Sequence, residues 1–347
     1  MVGPFVSTLR IPLSALDLVP LSDGMSRPDA FEQSRILAGE LDRSGYHRLW
    51  VAEHHGSTTF MASATSVILA DLARHTERIR LGSGGVMLPN HAPLMVAEYY
   101  GTLATLYGDR FDLGIGRAPG TDPMTAAALR RGNPDLNTFA TDVVDIIDLL
   151  GTPRSLPGGV RAIPGEGTNV PVWMLGSSTG GAQVAAALGL PYSFASHFAP
   201  QQINEALALY REHFDASART AQVSRPTVMA GVNVLIADTH AEAERLFTTA
   251  QLMRVHLRTG TLGPLLPPVD DLASVIPSEL LQFAGRPNGQ ASFVGTADDV
   301  VERLEGFVAH HELDELIVTT YTYDPVPRRE SYAALAQAWG LDATAQH

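Results

Sequence analysis

Short apolar, β-rich runs alternate with stretches of helical periodicity along the whole chain, the pattern of repeated parallel βα units. Eight runs read as strands: Leu13–Val19, Arg48–Ala52, Ile79–Met87, Arg110–Ile115, Val170–Leu175, Tyr192–Ala195, Val228–Ile236 and Glu315–Thr320. Several are almost continuously apolar, as strands covered on both faces must be. The helices between them carry end signals. Ser26 and Pro28 open one whose Ala30, Leu37, Ala38 and Leu41 share a face, and Gly45 closes it. Thr296 is placed to cap another, with Asp298 and Asp299 in its positive first turn. Val300, Leu304, Phe307 and Val308 then follow i, i+4, i+7, i+8 spacing.

Two stretches break the alternation. Gly116–Asn137 is rich in Gly, Pro, Ala and Arg, and Gly260–Gly289 in Pro and Gly. Loops of that length in a compact domain are usually functional. In a barrel both would follow strand C-termini, the face that carries active sites. With 347 residues the chain exceeds the roughly 250 of a bare α/β barrel. The expected organisation is an N-terminal extension over 1–11, then one (β/α)8 TIM barrel over 12–347. Its insertions lie at the C-terminal face, the main one around 260–289.

Composition narrows the function. Hydrophobic residues make up 45% and charged residues 18%, enough for a large core. A net charge of −13 argues against nucleic acid and acidic membrane surfaces as partners. Cysteine is absent, which removes disulfides, thiolate metal sites and cysteine nucleophiles together. No secretory signal and no apolar run of about 18 residues is evident, so the expected location is cytoplasmic.

Four segments carry candidate chemistry. Trp50-Val51-Ala52-Glu53-His54-His55 turns abruptly from apolar to ionisable at a strand end. Structural hydrogen bonds, proton transfer and metal binding all remain open there. Adjacent strand residues face opposite ways, so His54 and His55 are poorly placed to share one metal. His91 and His197 sit at comparable strand ends as further ligands. In the Gly82–His91 segment, Gly84 and Gly85 lie inside a strand, which signals a bulge, close ligand approach or merely tight packing. Gly114-Ile115-Gly116-Arg117-Ala118-Pro119-Gly120 lacks G-x-G-x-x-G spacing, and Pro119 intrudes where a helix should start, which excludes Rossmann binding. What is left is Arg117 in a glycine loop, either a surface turn residue or an anion ligand. Gly176-Ser177-Ser178-Thr179-Gly180-Gly181 leads into the helix 182–188 and offers either a plain N-cap or an anion site.

In order and spacing these segments resemble the bacterial luciferase-like monooxygenase family, on the branch of biosynthetic tailoring oxygenases. WVAEHH at 50–55, GSGGVMLPNHAPLMVAEYYGTL at 82–103, DLGIGRAPGTDP at 112–123 and GSSTGGAQVAAALGLPYSFASHFAP at 176–200 carry the likeness. It implies a cis Gly84–Gly85 bond against a flavin ring lined by Leu18 and Ala52. It implies Arg117, Ser178 and the Gly181 N–H at the flavin phosphate, within the Gly176-Ser177-Ser178 loop. His54 becomes the proton-transfer residue at the reactive edge. No residue is assigned to a metal. The family's light-emitting subunit has a reactive cysteine that this chain lacks.

The implied activity is oxygenation of a largely apolar small molecule by reduced FMN and O2 through a C4a-peroxyflavin. A separate NAD(P)H:flavin reductase would supply the FMN, since no nicotinamide fingerprint is found. Alternatives are F420-dependent hydride transfer on the same scaffold and a catalytically silent flavin-binding subunit. A homodimer is expected from the resemblance and from the frequency of twofold assemblies.

Overall fold

All nine strands of the sheet run parallel to their neighbours. They are β1 (Leu13–Asp17), β2 (Arg48–Val51), β3 (Arg80–Met87), β4 (Phe111–Gly116) and β5 (Val172–Gly176). Then come β6 (Tyr192–Phe194), β7 (Val228–Ile236), β8 (Ser292–Gly295) and β9 (Glu315–Thr319). The order β6-β5-β4-β3-β2-β1-β9-β7, with β6 pairing back onto β7, closes an eight-stranded (β/α)8 barrel. This is a computed structural model, and it describes residues 10–118, 120–129, 138–152 and 159–342. Most of the expected 1–11 extension, with Pro119 and the end of the Gly116–Asn137 loop, lies outside the described residues.

The helices are α1 (Arg27–Arg43), α2 (Thr65–Leu72), α3 (Pro93–Tyr107), α4 (Pro123–Leu129), α5 (Phe139–Leu150) and α6 (Thr179–Leu188). They continue as α7 (Ile203–Glu212), α8 (His240–Thr259), α9 (Leu281–Ala284), α10 (Ala297–His311) and α11 (Pro325–Trp339). Ser26 caps α1 as its sequence suggests, its hydroxyl accepting from the Asp29 N–H, with proline in the first turn. Thr296 does not behave as expected. It occupies the N-cap position of α10, but its side chain makes no cap bond.

Eight strands coincide with the sequence expectation to within two residues at each end, and β7 coincides fully. The ninth, β8, was not expected. It stands outside the barrel, paired with the last residues of β7 from Asn233↔Ser292 to Ile236↔Gly295. Between these two strands lie α8 and the 260–291 segment, so the excursion from the barrel opens with a 20-residue helix. One face of α8 (Ala243, Leu246, Phe247, Ala250) packs in a buried cluster with Leu16, Leu18, Trp50, Trp173 and Tyr321. Its other side, Leu252 and Val255, packs on Ile276 and Ala284 of its own excursion.

The lower barrel is plugged by charge. Arg48 bonds Asp112 at 2.5 Å and Glu315 at 2.7 Å, and Arg80 reaches Asp112 at 2.7 Å. The Arg48 guanidinium lies 4.9 Å from the Trp173 ring, and Trp173 meets Trp50 edge-on at 5.6 Å. These indoles form an apolar floor between the ionic plug and the strand C-termini. Among the described residues no helix is long and apolar enough to cross a membrane.

Candidate active site

Chemistry gathers where the strands end. After Val51 the alternation of β2 sends its polar residues apart. Glu53 is buried, and its Oε1 lies 2.7 Å from His55 Nε2 and 2.8 Å from His91 Nε2. Its Oε2 accepts the Met87 N–H at 3.1 Å. Burial alone would raise this carboxyl; the bonds from His91, His55 and Met87 outweigh it and hold Glu53 below the ordinary carboxylate range. The donor atoms of Glu53, His55 and His91 all lie within 4.8 Å of one another. They have the chemistry of a divalent-ion site, yet their distances are those of a carboxylate shared by two N–H donors. His54 stands apart from this group.

The His54 N–H donates to the Ala62 carbonyl at 2.7 Å, and its ring centre lies 5.4 Å from that of Phe60. Its Nδ1 is buried with no hydrogen-bond partner. Burial lowers the imidazole pKa, with His55 adding to that effect and Glu53 opposing it, so His54 is neutral at pH 7.

In β3 the pairing with β4 shifts register between Ser83 and Val86, and the Gly84–Gly85 bond is cis. A side-chain carbon on Gly84 would come within 2.6 Å of Leu16 Cδ1, and one on Gly85 within 2.8 Å of the Gly114 carbonyl oxygen. The space behind both residues is filled, so this part of the wall is bare backbone. Leu18 and Ala52 are buried in the same apolar cluster as Trp50 and Trp173.

Arg117 follows β4 and lies over the start of α6. A side-chain carbon on Gly180 would sit 2.9 Å from Arg117 Nη2. Ser178 takes the N-cap position of α6, but its hydroxyl makes no capping bond. Gly176 and Gly181 stand back to back, each with the other's Cα within 3.3 Å of where a side chain would begin. The helix thus comes close to β5 with its first N–H groups open. Segments far apart in sequence, at 117 and 176–181, meet at one mouth.

The structure brings three further residues to this face: His197, which the sequence offered only as a metal ligand, and Arg254 and Tyr321, which sequence reasoning passed over. His197 follows β6; its Nδ1 is buried and unpartnered, and a side-chain carbon on Gly231 would fall 2.2 Å from that atom. Burial, with Arg254 and His54 nearby, pushes its pKa down to about 4. Arg254 comes from α8, and Tyr321 follows β9. Arg254 and Tyr321 carry no local motif, and only the fold brings Arg254 near His197 and Tyr321 near Arg254.

A closed parallel barrel with its polar groups at the strand C-termini is the frame of a TIM-barrel enzyme. The chain belongs to the luciferase-like monooxygenase family, whose model matches residues 16–310. A luciferase-like monooxygenase of Escherichia coli K12 is 44% identical over 324 residues, covering 93% of this chain and 95% of that protein. The crystal structure of apo-MsnO8 superposes with a TM-score of 0.85 at 32% identity, covering 96% of this chain and 99% of that one. Two structures of lower identity share the fold. The oxygenating constituent of 3,6-diketocamphane monooxygenase of Pseudomonas putida, in complex with FMN, has TM-score 0.67 and 17% identity, with 94% and 97% covered. An F420-dependent secondary alcohol dehydrogenase with an F420-acetone adduct has TM-score 0.68 and 13% identity, with 95% and 99% covered.

Proposed function

We propose that this monooxygenase binds reduced FMN and uses O2 to oxygenate a largely apolar small molecule. The observation that carries the reading is the seat of Arg117 on Gly180, at a helix start whose Ser178 hydroxyl has no capping duty. A guanidinium, two hydroxyls and open N–H groups at a positive helix end suit a phosphate monoester.

The residues around that seat fit the rest of the flavin. Gly84 and Gly85 offer a backbone cradle that any side chain would disturb, and Leu18 and Ala52 add apolar wall. The buried Nδ1 of His54 lacks a partner, as expected of an atom that serves a bound group. Reduced flavin, when bound, supplies two electrons to O2 and so delivers one oxygen atom to the substrate. Arg117, Ser177, Ser178 and the Gly181 N–H hold the phosphate, while Gly176 lets the helix approach. Neutral His54 accepts or returns a proton at Nδ1. The indoles of Trp50 and Trp173 keep water out from below.

A separate NAD(P)H:flavin reductase would supply the reduced FMN. A second copy of the chain fits the exposed Val67 on α2 and Met95, Tyr99 and Leu106 on α3. The F420-dependent neighbour supports a second reading, hydride transfer from F420, which involves no reaction with O2.

Anaerobic mixing with reduced FMN, followed by O2 in a stopped-flow spectrometer, tests the proposal. Tight binding and a long-lived blue-shifted phase before oxidised flavin appears support it. Reoxidation as fast as that of free reduced FMN, with tight binding of F420 instead, supports hydride transfer.

A further inference from the structure

We propose that Arg254 of α8 and His197 after β6 form an anion subsite in the barrel mouth that takes one carboxylate on an otherwise apolar substrate. The inference rests on the oxygenase reading above and names the substrate class for that site.

Arg254 lies on the wrong side of its helix for a surface arginine. Ala243, Phe247 and Ala250 form the stripe of α8 that packs on the barrel cluster, and Arg254 continues it at the next helical step. Its guanidinium lies 5.1 Å from the Phe247 ring centre, and Nη2 reaches Ser292 Oγ at 3.3 Å. A side-chain carbon on Gly285 would fall 2.9 Å from Nη1, so the backbone of the excursion is pressed against it.

No carboxylate forms an ion pair with Arg254 among the described residues. Arg254 is only partly exposed, and the chain treats its two fully buried arginines differently. Arg48 holds Asp112 and Glu315, and Arg328 holds Asp17 at 2.9 Å. With 37 acidic residues against 24 Lys and Arg, the chain does not lack partners to offer. A cation partly withdrawn from water without a counter-charge favours an anion from outside. Burial holds the Arg254 guanidinium below its ordinary value, opposed only by Tyr321.

His197 supplies the independent observation. Its backbone is fixed by Asn233 Nδ2 donating to its carbonyl at 2.8 Å, and its ring is held against Gly231. Yet its Nδ1 is buried and makes no bond. A neutral imidazole protonated at Nδ1 is a ready donor to a carboxylate oxygen, with Arg254 neutralising the charge. The surroundings set the rest of the ligand: Phe60, Tyr321, Leu18 and Met253 are the apolar neighbours in this cluster. The subsite is separate from the phosphate seat, which is built on β4 and β5 rather than on β6 and α8.

The test compares octanoate and 3-phenylpropanoate with their neutral amides by titration calorimetry, using the FMN-loaded protein and R254M and R254K variants. The expected result is at least a tenfold preference for one carboxylate over its amide in the parent. R254M should abolish that preference and R254K keep part of it, with thermal melts showing that both variants fold. Equal binding of acid and amide in every pair, or a preference that survives R254M, overturns the proposal. So does a result in which R254M leaves the acid–amide ratio unchanged but weakens reduced FMN far more than oxidised FMN; Arg254 would then serve the anionic reduced ring. Flavin binding is followed separately by fluorescence, and the calorimetry is repeated without FMN. Failure of FMN to bind therefore counts against the oxygenase reading alone.

Discussion

His55 and His91, from the ends of different strands, place their Nε2 atoms 2.7 and 2.8 Å from the same oxygen of Glu53. One buried carboxylate thus fixes two imidazoles at the rim of the site. Both rings must then carry a proton on Nε2 to donate to it.

Glu53→Gln should cost about 1.5–3 kcal/mol, the range for hydrogen bonds to a charged group. The sign with pH follows from the lowered carboxyl pKa. The ionised group stabilises the fold fully above its unfolded value, and this contribution is lost as pH falls through the lower folded value. The gap between parent and variant in urea melts should therefore narrow as pH is lowered from 7 toward 3. A gap that stays constant or widens on acidification would contradict this role.

His54→Ala should leave FMN affinity within about twofold, because the residue is not placed at the phosphate seat, while product formed per O2 consumed collapses. Burial keeps the ring neutral below the ordinary imidazole value, so coupled turnover in the parent should hold steady as pH drops from 8 to about 6.5. Unchanged coupling in the variant would remove His54 from the chemistry.

Gly180→Ala separates folding from binding. Alanine is favoured over glycine within a helix by about 1 kcal/mol, and the atom it would meet is the end of a flexible arginine, 2.9 Å away. The melting temperature should stay level or rise. Displacing Arg117 should nevertheless weaken FMN at least tenfold, as read by fluorescence titration. Unaltered FMN affinity would detach Arg117 from the phosphate.

Arg48→Met should destabilise the barrel by about 3–5 kcal/mol, since Glu315 is left buried without its partner while Asp112 retains Arg80. FMN affinity of the folded fraction should not change, because the ionic plug lies beneath the indole floor. Chemical denaturation and flavin titration on one preparation check both halves.

The fold was legible because barrel strands write themselves as apolar runs. Val228–Ile236 is bounded correctly since all nine of its residues are buried. β8 was not legible: Ser292–Gly295 has four residues and only two large apolar side chains, too little for a signal. The parting of His54 from His55 follows from strand alternation. The meeting of Glu53 with His91 does not, because it depends on how the ends of β2 and β3 come together beside the register shift between Ser83 and Val86. Arg254 was hidden for a different reason. An arginine at a core position of an amphipathic helix reads as a surface residue until the packing partner of that face is known.

β7 forks. Its residues up to Asn233 complete the closed ring with β6 and β9; Asn233 also meets β8, and the last three, Val234–Ile236, pair with β8 alone. The chain therefore departs and returns beside the same strand, and no strand of the closed ring lies between 237 and 291. That segment is an exchangeable cassette. Relatives could trade it, and a protein engineer could graft it, to change what the enzyme accepts while the flavin seat stays intact. The joint to preserve is the Leu246 and Phe247 contact with the barrel core.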